Sequence, residues 1–333
     1  MHIEGAVRAV LDAVGVGADD ISACVPLTGG TYNDVTRVTL DDGRDWVVKI
    51  PPPSTAEGMS HERGLLFNEV TYYTAAGIPA VPAVVHSELD PLAATGPYLI
   101  MSVRPGQSWY EAAGTMADGE EARLRRELGQ LVGELHRIAG PGGFGYPGEP
   151  MGPPAPTWRA AFTTMTDAVL ADADTYGARL PRPADRIRPL LAAAAPVLDD
   201  VTRPALVHFD LWQGNLLVDG EPGARTIGGI IDGERMFWGD PVAEFVSLAL
   251  LGNLEEDKDF LAGYEEGSGR PMVFDASVRL RLALYRCYLY LIMLVETVPR
   301  RVPQEQLDRV WTEVGPHLVS ALDDVEAALR SRG

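Results

Sequence analysis

Residues 208–215 read His-Phe-Asp-Leu-Trp-Gln-Gly-Asn, and residues 230–234 read Ile-Ile-Asp-Gly-Glu. The first stretch sets an aspartate and an asparagine five residues apart across a polar turn, directly after the apolar run Leu206-Val207. Between the two stretches lie the strand-like runs LLVDG and IGGI, so Asp232 falls at a strand end next to that turn. Phosphoryl transfer asks for this inventory. The phosphates must be gripped, a hard octahedral metal needs carboxylate or amide oxygens, and an attacking hydroxyl needs a carboxylate within hydrogen-bond reach. Each residue alone is weak, since an aspartate in a turn is more often a local cap. The ordered set H-x-D-x-x-x-x-N, strand, strand ending in aspartate is specific.

Working upstream, VTRVTL and WVVKI flank a glycine-containing turn and predict two strands, with Lys49 near the end of the second. Residues 60–76 read as a helix stopped by Gly77, carrying Glu62 and Glu69 as possible partners for Lys49. PAVVHSEL and PYLIMSV are again strand-like. Before the first strand, Leu27 to Asn33 includes Gly29, Gly30 and Thr31, where backbone N–H groups can approach phosphates. RPGQS at 104–108 marks a boundary, which divides the chain into residues 1–103 and residues 104–333.

Beyond that boundary the pattern is mostly helical. Asp118 with Glu121 is expected to cap a helix whose Leu124, Leu128, Leu131 and Leu135 share a face, with Gly140 ending it. Residues 140–156, rich in Gly and Pro, predict a surface loop. Residues 1–16 predict a first amphipathic helix instead of a signal peptide, because Glu4, Arg8 and Asp12 interrupt the apolar pattern. His136, alone on an apolar helix face, reads as a packed, hydrogen-bonded residue.

With 333 residues, 46% hydrophobic and 23% charged, the chain is long enough for two packed lobes. Its formal charge of −19 repels nucleic acid and anionic membranes and favours cationic small molecules. Cys24 and Cys287 form no metal or disulfide pattern, which points to the cytoplasm. The most apolar run, Cys287 to Val295, is too short for a bilayer span of roughly 20 residues.

Taken together, these segments resemble the aminoglycoside phosphotransferase family, whose fold is similar to that of protein kinases. LTGGTYNDVTRV looks like its nucleotide-loop strand pair, WVVKI like its lysine strand, and FNEVTYYTAAGIPAVPAVV like its lysine-pairing helix. YLIMSVRPG resembles the run into the hinge, HFDLWQGN the catalytic loop, IDGE the metal-binding strand end, and WGDPVAEF the segment after it. The resemblance implies an α+β bilobal fold: a small N-lobe with an antiparallel sheet, and a larger, mainly helical C-lobe. It implies that Lys49, held by Glu69, contacts the phosphates, and that Asp210 accepts or orients the hydroxyl proton. Asn215 and Asp232 would ligate Mg2+, His208 would support the loop, and Asp240 would brace it. Gly29, Gly30, Thr31, Met101, Ser102 and Arg104 would border ATP or GTP. Phe209 replaces a common glycine, and Glu244 stands where an aspartate is usual.

The expected reaction is phosphorylation of a small-molecule hydroxyl, on an antibiotic such as an aminoglycoside or nucleoside, with antibiotic resistance as the role. A metabolite kinase for choline or an amino sugar, or a non-catalytic nucleotide-binding regulator, are the alternatives. The acidic residues Glu255, Glu256, Asp257, Asp259, Glu265 and Glu266 would either receive an amine-rich substrate or form a solvated helix face. Trp212 and Trp238 would either shape the substrate pocket or fill core. The protein is expected to be a monomer or homodimer.

Overall fold

A computed structural model describes residues 5–27, 32–53, 55–148 and 151–332. Alternation of apolar residues fixes the smaller lobe. Strands β1 (Ile21–Pro26), β2 (Asp34–Leu40), β3 (Asp45–Ile50), β4 (Val84–Glu88) and β5 (Tyr98–Ser102) form one antiparallel sheet in the order β1-β2-β3-β5-β4. Trp46, Val48, Tyr98 and Ile100 face one way, onto Val7, Val10 and Leu11 of helix α1 (Gly5–Ala13). Val47, Leu99 and Met101 face the other way and join the main core. Side chains alternate along a strand, so Lys49 shares the face of Val47 and looks toward the larger lobe.

Strand β1 escapes the sequence pattern. It is an edge strand, half exposed, without clean alternation and ending in proline, so periodicity does not mark it. Helix α2 (Leu65–Ala76) follows a tight turn at Ser60–Gly64 and ends on Gly77 at φ 61°, a left-handed cap that glycine adopts without strain. It carries Glu69 beneath β3.

The larger lobe begins with β6 (Gln107–Ser108), α3 (Trp109–Ala112) and α4 (Glu120–Leu135). Neither Asp118 nor Glu121 caps α4. The N-cap is Gly119, which makes no side-chain bond, and Glu120 in the first turn instead accepts from the Ala117 N–H at 3.0 Å while its other oxygen takes the N–H groups of Gly223 and Arg225. The helix also stops at Leu135, before Gly140. Helices α5 (Trp158–Tyr176) and α6 (Ala184–Ala194) precede two short strand pairings: β7 (Ala205–Val207) with β10 (Phe237–Gly239), and β8 (Leu216–Asp219) with β9 (Thr226–Ile230). The chain closes with α7 (Glu244–Leu248), α8 (Lys258–Ser268), α9 (Ala276–Val295) and α10 (Gln304–Arg332). Among the described residues no helix is long and apolar enough to cross a membrane.

Helices α4 and α8 approach backbone to backbone through Gly129 and Gly133 on one and Gly263 and Gly267 on the other. A Cβ on Gly263 would lie 1.9 Å from the Arg126 carbonyl oxygen, and one on Gly267 2.0 Å from that of Gln130. Backbone cannot swing aside as a flexible side chain can. Gly263→Ala is therefore expected to destabilise the protein by about 3 kcal/mol, the upper end of ordinary overpacking, read as a lower denaturant midpoint.

Candidate active site

The two strand pairings bring residues 208–215 and 231–235 side by side. His208, buried at the end of β7, holds them together. Its Nδ1 accepts the Asp210 N–H at 3.2 Å, leaving Nε2–H to donate to the Ile231 carbonyl at 2.9 Å. Burial keeps the ring neutral by lowering its pKa, which this tautomer requires. Glu244, not Asp240, braces the loop: its carboxylate takes the N–H groups of His208 and Phe209 at 2.7 and 2.8 Å. Asp240 turns instead to α9, accepting from Tyr285 Oη at 2.6 Å and pairing with Arg281.

Phe209 stands in the left-handed region at φ 65°, where a glycine would be free of strain. Its ring is buried against Phe237 and Tyr288, with centroids 5.0 and 5.6 Å away. Restoring glycine would relieve about 1–2 kcal/mol of backbone strain but forfeit burial worth about 3–5 kcal/mol. Phe209→Gly is accordingly expected to lower the melting temperature, against the inference from backbone geometry alone.

Asn215 Nδ2 donates to both the carbonyl and the carboxylate of Asp210, at 2.9 and 3.1 Å. Asn215 O accepts from Ile231 N, which ties the loop to the strand that leads into Asp232. Desolvation pushes the Asp210 carboxyl up to about 7, opposed by Arg235 and reinforced by Asp232, Glu296 and Glu234. Its side chain nonetheless keeps 25% exposure, so a ligand can reach it.

Lys49, only 3% exposed, meets three carboxylates: Glu69 and Asp232 at 2.6 Å and Glu234 at 2.7 Å. An ammonium has three donors, and here each carboxylate has one within reach. Burial works against the charge, yet these neighbours hold the lysine well above its usual pKa. Helix α2 supports the cluster through Tyr73, whose hydroxyl donates to Glu69 and accepts the Asp232 N–H. Asp232 itself is left-handed at φ 63°, a conformation a small polar side chain tolerates.

Glu69, not Glu62, is therefore the lysine partner on the helix side; Glu62 pairs with Arg300. Glu234 was not singled out from the sequence, although it stands two residues after Asp232. It also takes the Asn33 amide at 2.8 Å. Carboxylate oxygens of Glu69, Asp232 and Glu234 lie within 4.8 Å of one another. Three carboxylates against one ammonium leave a net negative set of hard oxygens, and with the Asn215 amide nearby this donor chemistry fits Mg2+.

Gly29, Gly30 and Thr31 lie outside the described residues. At the hinge, Met101 is buried beside Val47. Ser102 exchanges two hydrogen bonds with Ala83, both at 2.9 Å, through its N–H and its hydroxyl. Arg104 Nε donates to the Gly228 carbonyl at 3.2 Å, tying the hinge to β9. Trp238 is core at 4% exposure, whereas Trp212, at 38%, lies in the 208–215 loop beside exposed Tyr110. His136 is packed and bonded to Tyr264 Oη at 2.9 Å. Of the acidic residues after Gly252, Glu255, Asp257 and Glu266 pair with Arg279, Arg125 and Arg126, so they belong in part to the lobe's own packing.

A model of the phosphotransferase enzyme family (APH) matches residues 23–284. No curated protein matches the chain. Among solved structures, a candidate fructosamine-3-kinase from Thermobifida fusca superposes with a TM-score of 0.67 at 20% identity, over 99% of this chain and 100% of its own. The aminoglycoside phosphotransferase APH(4)-Ia, in ternary complex with AMP-PNP and hygromycin B, gives 0.58 at 18% identity over 98% of each chain. An aminoglycoside 2′-phosphotransferase-IIIa variant, solved as its GDP complex, gives 0.59 at 16% identity over 94% and 97%. At such identities the superpositions speak for the protein-kinase-like fold, while the family match spans both lobes and the whole of the charged cleft. The chain belongs to the phosphotransferase enzyme family and is a kinase-type phosphotransferase acting on hydroxyl groups.

Proposed function

We propose that the protein transfers the γ-phosphate of ATP or GTP, taken up with Mg2+, to a hydroxyl of a small polyhydroxylated acceptor. In this reading residues 1–103 form the nucleotide-binding lobe and residues 104–333 the catalytic lobe. Lys49, oriented by Glu69, grips phosphate oxygens. Asp232, Asn215 and Glu234 would hold the metal, which would supply screening of the phosphate charge. Gly29, Gly30 and Thr31 cover the phosphates, and Met101 with the backbone of Ser102 to Arg104 borders the base. Asp210 receives the hydroxyl proton as the acceptor oxygen bonds to phosphorus and the bond to the bridging oxygen of the nucleoside diphosphate breaks.

The single observation behind this reading is the convergence of Lys49 on Asp232 at 2.6 Å while Asn215 holds Asp210 at 3.1 Å. A cavity of about 570 Å³, between the start of α4, Gln213 of the catalytic loop and residues 248–259, offers room for the acceptor. Its lining of Gln213, Asn253, Glu121 and Asp259, beside the paired Arg125 and Asp257, suits hydroxyls and amines. Two acceptor classes fit this lining: an antibiotic such as hygromycin B, with resistance as the role, or a metabolite such as a ketoamine, an amino sugar or choline. The metabolite reading takes its ketoamine class from the name of one superposed structure, the candidate fructosamine-3-kinase. The charge of −19 weighs against nucleic-acid and anionic-membrane partners, and the two unpatterned cysteines favour a reducing cytoplasm, where the enzyme would act as a monomer or homodimer.

The test is release of ADP or GDP, in the presence of Mg2+, with panels of aminoglycosides, nucleoside antibiotics, glycated amines, amino sugars and choline. One panel should accelerate release and yield a phosphorylated product. Nucleotide binding without transfer to any of them would favour a regulator instead.

A further inference from the structure

A closed circuit of hydrogen bonds and ion pairs passes through Asp232. Lys49 Nζ meets Asp232 Oδ1 and Glu69 Oε2, each at 2.6 Å. The other Glu69 oxygen, Oε1, accepts from Tyr73 Oη at 2.7 Å, and the same phenol oxygen accepts the Asp232 N–H at 2.9 Å. Asp232 is thus held by its carboxylate from β3 and by its amide from α2. Helix α2 also meets Gly233 and Glu234, which follow it in the chain. A Cβ on Gly233 would lie 2.4 Å from the Tyr72 ring, and Asn68 Nδ2 donates to the Glu234 carbonyl at 3.2 Å. A grip on the backbone matters here, because Asp232 sits in the left-handed region at φ 63°.

We propose that Tyr73 is a positioning residue for the metal site, its one hydroxyl fixing the Asp232 backbone and the Glu69 carboxylate together. The inference rests on the nucleotide-kinase reading above. In that reading Lys49 turns to phosphate and the Asp232 carboxylate to the metal, which opens the circuit on the β3 side. The Tyr73 side involves only the Asp232 amide and Glu69 Oε1, and it remains when the other hold is released. Without the hydroxyl, a buried N–H loses its acceptor and a left-handed backbone loses its tether. Partners of this kind weigh on metal affinity by about 10–100-fold without touching the metal. Tyr72, the preceding residue on α2, supplies the contrast. Its ring packs edge-on to His208, with centroids 4.9 Å apart, and its buried hydroxyl has no hydrogen-bond partner among the described residues.

Tyr73→Phe keeps the ring and deletes both bonds, whereas Tyr72→Phe deletes a hydroxyl that makes none. Mn2+, a paramagnetic stand-in for Mg2+, is titrated into nucleotide-free protein by electron paramagnetic resonance. Turnover is followed as ADP release against Mg2+ concentration, and stability by thermal melts. Tyr73→Phe should bind Mn2+ about tenfold more weakly and need about tenfold more Mg2+ for half-maximal release, with turnover largely restored at saturating Mg2+. Tyr72→Phe should match the wild type in both and melt no lower, since an unpartnered buried hydroxyl contributes no bond to lose. Hydrogen exchange of the Asp232 amide should be slow in the wild type, a readout that needs no variant to fold, and should quicken in Tyr73→Phe alone. A wild-type metal requirement in folded Tyr73→Phe, equal losses in the two variants, a lowered melting point as the sole change, or fast exchange in the wild type overturns the role of Tyr73. Wild-type protein that takes up no MgATP overturns the functional reading beneath it, and this inference with it.

Discussion

Asp210→Asn is expected to lower phosphate transfer by about 10³-fold at saturating nucleotide while leaving nucleotide uptake nearly intact, since a positioned base contributes about 10²–10⁴-fold. The substitution keeps the shape of the side chain and leaves an oxygen for Asn215 Nδ2, which now bonds the Asp210 carboxylate at 3.1 Å. Its main-chain N–H still meets His208, so the loop stays where Glu244 and His208 hold it. Only proton affinity is lost. Initial rates of nucleoside diphosphate release measure the first effect, and the melting shift produced by MgATP measures the second. A variant turning over at the wild-type rate would remove Asp210 from the reaction.

Lys49→Met should cost both activity and stability, and the stability loss is the sharper test. The ammonium lies among Glu69, Asp232 and Glu234, each within 2.7 Å. Without it, three carboxylates whose oxygens lie within 4.8 Å of one another lose their cation in a site largely shielded from water. Removing one member of a buried ionic set costs about 3–5 kcal/mol, because the remaining charges stay desolvated and uncompensated. The melting temperature should fall accordingly, and Mg2+ alone should raise it more in the variant than in the wild type. Adding Glu234→Gln should recover stability without recovering transfer, which is expected to fall by at least about 10²-fold with the loss of a charged phosphate contact. A Lys49→Met protein as stable as the wild type would mean that the three carboxylates do not share a common field.

Sequence reasoning reached furthest where a function depends on neighbours in the chain. The five-residue spacing of Asp210 and Asn215 survives as a direct hydrogen bond, and a single turn suffices to make it. Lys49 stands out near the end of a strand-like run with Glu62 and Glu69 on the helix after it, and the family resemblance favours Glu69, which the structure places on the lysine at 2.6 Å. The failures concern groups whose partners arrive from elsewhere. Asp240 and Glu244 stand four residues apart, and nothing local says which carboxylate will meet the His208 and Phe209 N–H groups. Glu120 could not be singled out over Asp118 and Glu121 until the β8–β9 turn brought the Gly223 and Arg225 N–H groups against it. Strand β1 is recognisable only once β2 is beside it, because an exposed edge carries little hydrophobic pattern.

The amino-acid order alone therefore determined a mixed α/β half followed by a helical half and an ordered set of oxygen-bearing residues, and the resemblance these carry implied the two-lobed fold and the phosphotransferase chemistry. Period, turn residues and short spacings are properties of a few consecutive residues, and they act before any long-range contact forms. Tertiary structure decided the electrostatics. It chose which of the 47 acidic side chains surround Lys49, drew Glu234 into that set, and set Glu296 between Arg235 and Arg300. A charge acts through space and is strengthened where water is excluded, so its partners are fixed by packing and not by position in the chain.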